Sequence, residues 1–156
     1  MLGLDGLTVT HIAAGRYHTL VRISDGTLRA CGRGSDGQLG NGVSLNSSVP
    51  VIVIKSLGDA TPLNGVTAIS GGGWHSVALL SDGTMRAWGD NDYGYLGDNT
   101  TTDRNAPIVV VSGAGSTAPL SNVVQITASG LNTMALLADG TIRTWGDNTF
   151  GQIGDG

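Results

Sequence analysis

Three stretches of this chain are variants of one another: HTLVRISDGTLRACG from His18, HSVALLSDGTMRAWG from His75 and NTMALLADGTIRTWG from Asn132. Their starts stand 57 residues apart in both steps (75 − 18 and 132 − 75). Asp25-Gly26, Asp82-Gly83 and Asp139-Gly140 keep the same register. So do Gly37-Gln38-Leu39-Gly40, Gly94-Tyr95-Leu96-Gly97 and Gly151-Gln152-Ile153-Gly154. A fixed period of this size means that one supersecondary unit is stacked several times. The units run over 1–62, 63–119 and 120–156 of a single repeat domain, the last one incomplete.

Each unit reads as strands. Glu is absent, Lys55 is the only lysine, and the 26 glycines accompany many Thr, Val and Ile. Such a composition lacks helix formers and favours short strands with tight turns. Val9–Ala14, Val66–Ser70 and Val123–Ala128 form the first strand of each unit. A hairpin around Asp-Gly follows, whose two turn residues are expected at positive φ. A fourth strand begins after Pro50 (VIVI) and after Pro107 (IVVV). This predicts eleven strands, four in each of the first two units and three in the last. The fold class is all-β, in blades of four antiparallel strands arranged as part of a propeller.

Other motifs point away from several function classes. The net charge is −4, and no basic stripe suggests nucleic acid. No apolar run reaches membrane-spanning length. Lone Cys31 excludes an internal disulfide framework. Asp90-Asn91-Asp92 resembles the opening of a calcium loop. However, Gly falls at Gly94, the sixth position is Tyr95, and no Glu can follow, so no metal site is expected. Gly71-Gly72-Gly73 lacks the Lys and the helix of a phosphate loop, and no cofactor is implied.

His75, Ser76 and Asp82 suggest a hydrolase triad, but the repeat argues against it. Asn132 fills the His position in the third unit and cannot act as a general base. Asp82 is a turn former, and neighbouring residues on a strand point to opposite faces. His75→Asn is therefore expected to cost on the order of 1 kcal/mol, one altered hydrogen bond. Trp88 and Trp145 recur within the hairpin and belong to the core.

The pattern VTAISGGGWHSVALLSDGTMRAWGDNDYGYLGDN resembles the repeat of the regulator of chromosome condensation family. The matching features are Ile69 to Gly72, His75-Ser76, Asp82-Gly83, Trp88-Gly89 and Gly94 to Gly97. That resemblance implies a propeller, of seven blades in that family, and recognition of proteins by loops at the ring faces. Cys31 departs from the pattern at the Trp position, Ser129 replaces Gly15 and Gly72, and the third unit lacks a Pro-led strand. Seven such units need roughly 400 residues, so one copy does not close a ring. Either a longer propeller or several joined copies is expected, with a homo-oligomer as one outcome.

Positions that vary between units while keeping large side chains are candidate contacts. Arg16, Tyr17, Trp74 and Leu131 precede the His position, and Asp92, Tyr93 and Phe150 precede Gly-x-Leu/Ile-Gly. Tyr, Trp and Arg dominate interface hot spots. Packing of Tyr93 and Phe150 between blades is the alternative for those two. The favoured reading is a non-enzymatic module for protein recognition or self-assembly. The alternative is an enzyme or carbohydrate-binding propeller with Asp side chains clustered at a ring centre. Low Lys and Gly/Thr/Asn-rich repeats also resemble bacterial extracellular repeat proteins, which favours an extracellular or cell-surface location.

Overall fold

The computed structural model describes residues 3–155, and every regular element among them is a strand. The first unit supplies β1 (Val9–Ala14), β2 (His18–Ile23), β3 (Leu28–Gly32) and β4 (Ser47–Ile52), hydrogen-bonded in that order. After a small hairpin, β5 (Ile54–Ser56) and β6 (Asp59–Pro62), come β7 (Val66–Gly71), β8 (His75–Leu80), β9 (Met85–Gly89) and β10 (Arg104–Val109). These four make a second antiparallel sheet. β11 (Val123–Ser129), β12 (Asn132–Leu137) and β13 (Ile142–Gly146) make a three-stranded third. No helix among the described residues is long and apolar enough to cross a membrane.

The eleven expected blade strands are present as four, four and three. The β5–β6 hairpin is additional; it turns at Gly58, whose φ of 86° needs glycine. In the second unit the same place holds only a bridge between Val111 and Pro119. β4 and β10 start before Pro50 and Pro107 rather than after them. Both are edge strands, and both ladders shift register near the proline, where no N–H is needed.

The Asp-Gly turns differ from the expectation in type. Only the glycine takes positive φ, 83° at Gly26, 77° at Gly83 and 84° at Gly140. Gly26 N donates to Ile23 O, and Ile23 N to Thr27 O, so the loop is a type I turn closed by a glycine bulge. Asp25 Oδ1 accepts the Thr27 amide at 2.9 Å and its hydroxyl at 2.7 Å. Those two bonds lead the causes that hold the Asp25 carboxyl below its usual value, and Asp82 and Asp139 repeat them.

The apolar cores lie between blades rather than within them. Leu20, Leu28, Ala30 and Leu39 of the first unit pack on Val66, Ala78 and Trp88 of the second. Val77, Met85, Ala87 and Leu96 of the second pack on Val123, Ala135 and Leu137 of the third. The second sheet thus buries one face against the first and the other against the third, as stacked repeats do. β1 contacts β7, and β7 contacts β11, so the first strands converge on one side of the array.

Candidate functional site

Antiparallel order places the β1–β2 turn and the β3–β4 loop at one end of each blade, and the Asp-Gly turns at the other. The sequence-selected residues from both kinds of loop therefore share one face. On it Arg16 bridges two units: its guanidinium carbon lies 5.2 Å from the Tyr17 ring centre and 5.0 Å from that of Trp74. The two rings are 6.4 Å apart and tilted by 58°. The Arg33 guanidinium carbon also lies 5.9 Å from the Tyr17 ring centre. Backbone bonds fix the loops to each other, Arg16 N to Gly72 O at 3.2 Å and Gly73 N to Gly130 O at 2.7 Å. A shallow depression of ≈ 310 Å³ between them is lined by Gly15, Arg16, Gly71, Gly72, Gly73 and Trp74 with Ala14, Ser129 and Gly130, none of them acidic.

Tyr17 is 49% exposed and Trp74 half-buried beneath Arg16. Leu131 is half-buried against the core between the second and third blades and stands apart from this cluster. Tyr93 (56% exposed) and Phe150 (89%) lie on the surface. Neither packs between blades; the residue that does is Tyr95, 1% exposed, two positions on from Tyr93. Asp92 is exposed and joins Asp90 and Asp103 in a group whose carboxylate oxygens lie within 4.8 Å of one another. Two of these carboxylates are occupied by their own loop. Asp90 accepts the Asp92 amide and the Tyr95 hydroxyl, and Asp103 accepts the Asn91 amide at 2.8 Å. Burial, with repulsion from Asp90, Asp92 and Asp36, raises the Asp103 carboxyl against the pull of the Asn91 amide.

His and Ser do meet, across units rather than between sequence neighbours. His18 Nε2 lies 2.8 Å from Ser76 Oγ, and His75 Nε2 lies 2.9 Å from Thr133 Oγ1. The Ser76 hydroxyl donates to Gln38 O at 2.9 Å, so its oxygen accepts from His18. Thr133 donates to Tyr95 O at 2.8 Å in the same way. Those two carbonyls also accept the indoles of the following unit, Trp88 and Trp145, each at 2.9 Å. The result is a latch of three hydrogen bonds that closes each blade on the next. Sequence reasoning overlooked it. The available signal was a hydroxyl in every unit beside the His position: Thr19, Ser76 and Thr133.

The latch has no hydrolytic geometry. Ser76 is fully buried, its proton is committed to a backbone carbonyl, and Asp82 sits at a distant turn. Burial lowers His18 to about 4 and His75 to about 3, so both imidazoles are neutral near pH 7. Their Nδ1 atoms have no hydrogen-bond partner. Each ring lies over a glycine: a Cβ on Gly15 or Gly72 would overlap the Cε1 and Nδ1 atoms of His18 or His75.

The family model described as the regulator of chromosome condensation (RCC1) repeat matches residues 25–79 and 82–136. A second model of the same description matches 9–38, 66–94 and 123–152, one segment per blade. The chain belongs to the RCC1 repeat family. Among its relatives is the E3 ubiquitin-protein ligase HERC2 of Mus musculus, 34% identical over 155 residues, covering 98% of this chain and 3% of the ligase. The ultraviolet-B receptor UVR8 of Arabidopsis thaliana is 29% identical over 153 residues, 98% of this chain and 32% of the receptor. Human WBSCR16 superposes with a TM-score of 0.72 at 28% identity, covering 94% of this chain and 34% of that one. Yeast RCC1 (Prp20), in a crystal structure with Kap60, gives 0.73 at 24% identity, over 96% and 32%. The chain thus spans about a third or less of these RCC1-repeat proteins. The partial propeller is the fold that family shares.

Proposed function

We propose that this chain is a non-enzymatic protein-recognition module that binds through the loop face carrying Arg16, Tyr17 and Trp74. The arginine held between two aromatic rings from different blades carries this reading. Those are hot-spot residue types, preorganised by cation–π contacts and by backbone bonds to a rigid framework. Asp92, Tyr93 and Phe150 extend the same face outward, and Leu131 contributes support beneath it rather than contact. The depression beside Trp74 is lined without carboxylates, which disfavours a ring-centre Asp site. The yeast RCC1 structure contains Kap60; at 24% identity that neighbour supports the fold, and the class of partner is our inference.

The test is a binder selected from a protein-display library against the intact chain. Trp74→Ala should weaken it about thirtyfold, the equivalent of roughly 2 kcal/mol. The urea midpoint should move little. Unchanged affinity with a large loss of stability would instead make Trp74 a framework residue.

A further inference from the structure

Two asparagines of this chain precede a glycine, Asn41 and Asn64, and the fold treats them in opposite ways. At such a step the glycine nitrogen can approach the asparagine side chain, because no Cβ crowds it. Asn41 is half-buried, and the Gly42 amide is held by Asn105 O of the next blade at 2.9 Å. Asn64 is exposed, in the link between β6 and β7 that carries the chain from the first blade to the second. Among the described residues its side chain has no hydrogen-bond partner, and the Gly65 amide has no acceptor.

The backbone on either side of Asn64-Gly65 is fixed. Leu63 N donates to Val53 O at 2.9 Å, Ser81 N to Gly65 O at 2.8 Å, and Val66 N to Gly26 O at 3.3 Å. Arg22 Nε donates to Val66 O. Leu63 and Val66 are both buried in the core shared by the first two blades. The link from the second blade to the third, Leu120-Ser121-Asn122-Val123, repeats this backbone. Asn122 has φ 58° where Gly65 has 68°, its carbonyl accepts Ala138 N at 2.8 Å, and Val123 N donates to Gly83 O at 3.0 Å. Ser121, however, carries no amide, and the nitrogen after Asn122 belongs to a bonded, β-branched valine. Chemistry open at the first link is closed at the second.

We propose that Asn64 is a site of spontaneous deamidation, and that its isoaspartate product loosens the junction between the first two blades. Hydroxide removes the Gly65 N proton, and the nitrogen bonds to Asn64 Cγ. The Cγ–Nδ2 bond breaks, and Nδ2 takes a proton from water and leaves as ammonia. Water then opens the resulting succinimide at either carbonyl, giving aspartate or isoaspartate, with no change of oxidation state. Aspartate keeps the original chain path. Isoaspartate routes it through the side chain and puts an extra methylene into the main chain between two buried, hydrogen-bonded residues. A close-packed junction takes up that length only by giving up a bond to Val53, Ser81 or Gly26.

The intact chain is aged in mildly alkaline buffer, and residues 41 and 64 are followed by peptide mass spectrometry, with electron-induced fragmentation separating isoaspartate from aspartate. Asn64 should convert at least about fivefold faster than Asn41, whose glycine amide keeps its hydrogen bond. In denaturing urea, where that bond is lost, the two rates should converge. The urea midpoint of the aged chain should fall as isoaspartate accumulates. Asn64→Ser, which installs the side chain of the second link, should age without that fall, while sharing any change at the Asp-Gly turns. A native Asn64 that converts no faster than Asn41 overturns the site, and needs no variant to show it. An aged chain rich in isoaspartate at residue 64, with the midpoint of the fresh chain, overturns the loosening.

Discussion

His75→Asn, combined with Gly72→Ser, gives the sharpest test of how the blades are joined. The third unit already carries the pair that the double variant would create, Ser129 with Asn132. The structure explains the pairing: an imidazole over a glycine occupies the space a Cβ would need, and an asparagine leaves it free. His75→Asn alone removes the bond to Thr133 and a ring stacked on Tyr95 at 4.7 Å, and it opens space above Gly72. One hydrogen bond is worth about 1 kcal/mol and the lost ring volume about 1–2 more, so a total near 2–3 kcal/mol is expected. That exceeds the single-bond figure the sequence suggests, because the sequence does not reveal that His75 is fully buried. Gly72→Ser alone forces the ring aside, an overpacking cost of about 1–3 kcal/mol. Together the two changes relieve each other, so the double variant should be more stable than the sum of the singles predicts by at least about 1 kcal/mol. Urea unfolding of the four proteins measures this. Additivity within about 0.5 kcal/mol would refute the argument that the glycine is there for the imidazole.

Acid should weaken the same latches. Both imidazoles have folded values below 6.5, so the unfolded chain binds the extra protons; stability is complete above about 6.5 and declines as pH falls toward about 4 for His18 and about 3 for His75. At pH 5 each should cost about 2 kcal/mol relative to pH 7.5, and a urea midpoint that stays flat over that interval would contradict it. Trp88→Phe removes the indole N–H but leaves Gln38 O the Ser76 hydroxyl, so about 1–2 kcal/mol is expected. Trp88→Ala empties a fully buried site and should cost about 3–5 kcal/mol in the same unfolding assay.

The period made the blades legible because each is specified locally, by alternation along strands and by an Asp-Gly turn that repeats in register. Within a unit, strand ends fell within one or two residues of expectation, except at the prolines. There the chain stays in the sheet, since an edge strand loses nothing where its amide would face away from the ladder. What joins units was less legible, since its partners are 38 to 58 residues apart and one of them is a backbone carbonyl. Gln38 and Tyr95 share no side-chain chemistry, so comparing side chains could not single them out as equivalent acceptors. Similarly, Tyr93 and Tyr95 look alike in sequence. Only the turn at Gly94, where φ is 73°, reverses the chain between them so that Tyr95 is buried and Tyr93 stays outside.

The latch is directional, and this bears on how the array can be extended. At both internal junctions the earlier blade offers an imidazole and a carbonyl, and the later one receives them with a hydroxyl and an indole. The receiving side of the first blade has Thr19 but Cys31 in place of the indole, and the offering side of the third has Asn132 in place of the imidazole. Asn132 turns back on its own blade, donating to Asp147 O at 2.6 Å. Apolar positions on these outer faces are correspondingly open: Ile142 is 57% exposed where Met85 and Leu28 are 0%. Two copies meeting head to tail would therefore bury apolar surface without either distinctive donor of the internal junctions. Two copies meeting through like faces would oppose two hydroxyl sides or two carbonyl sides, and no latch could form.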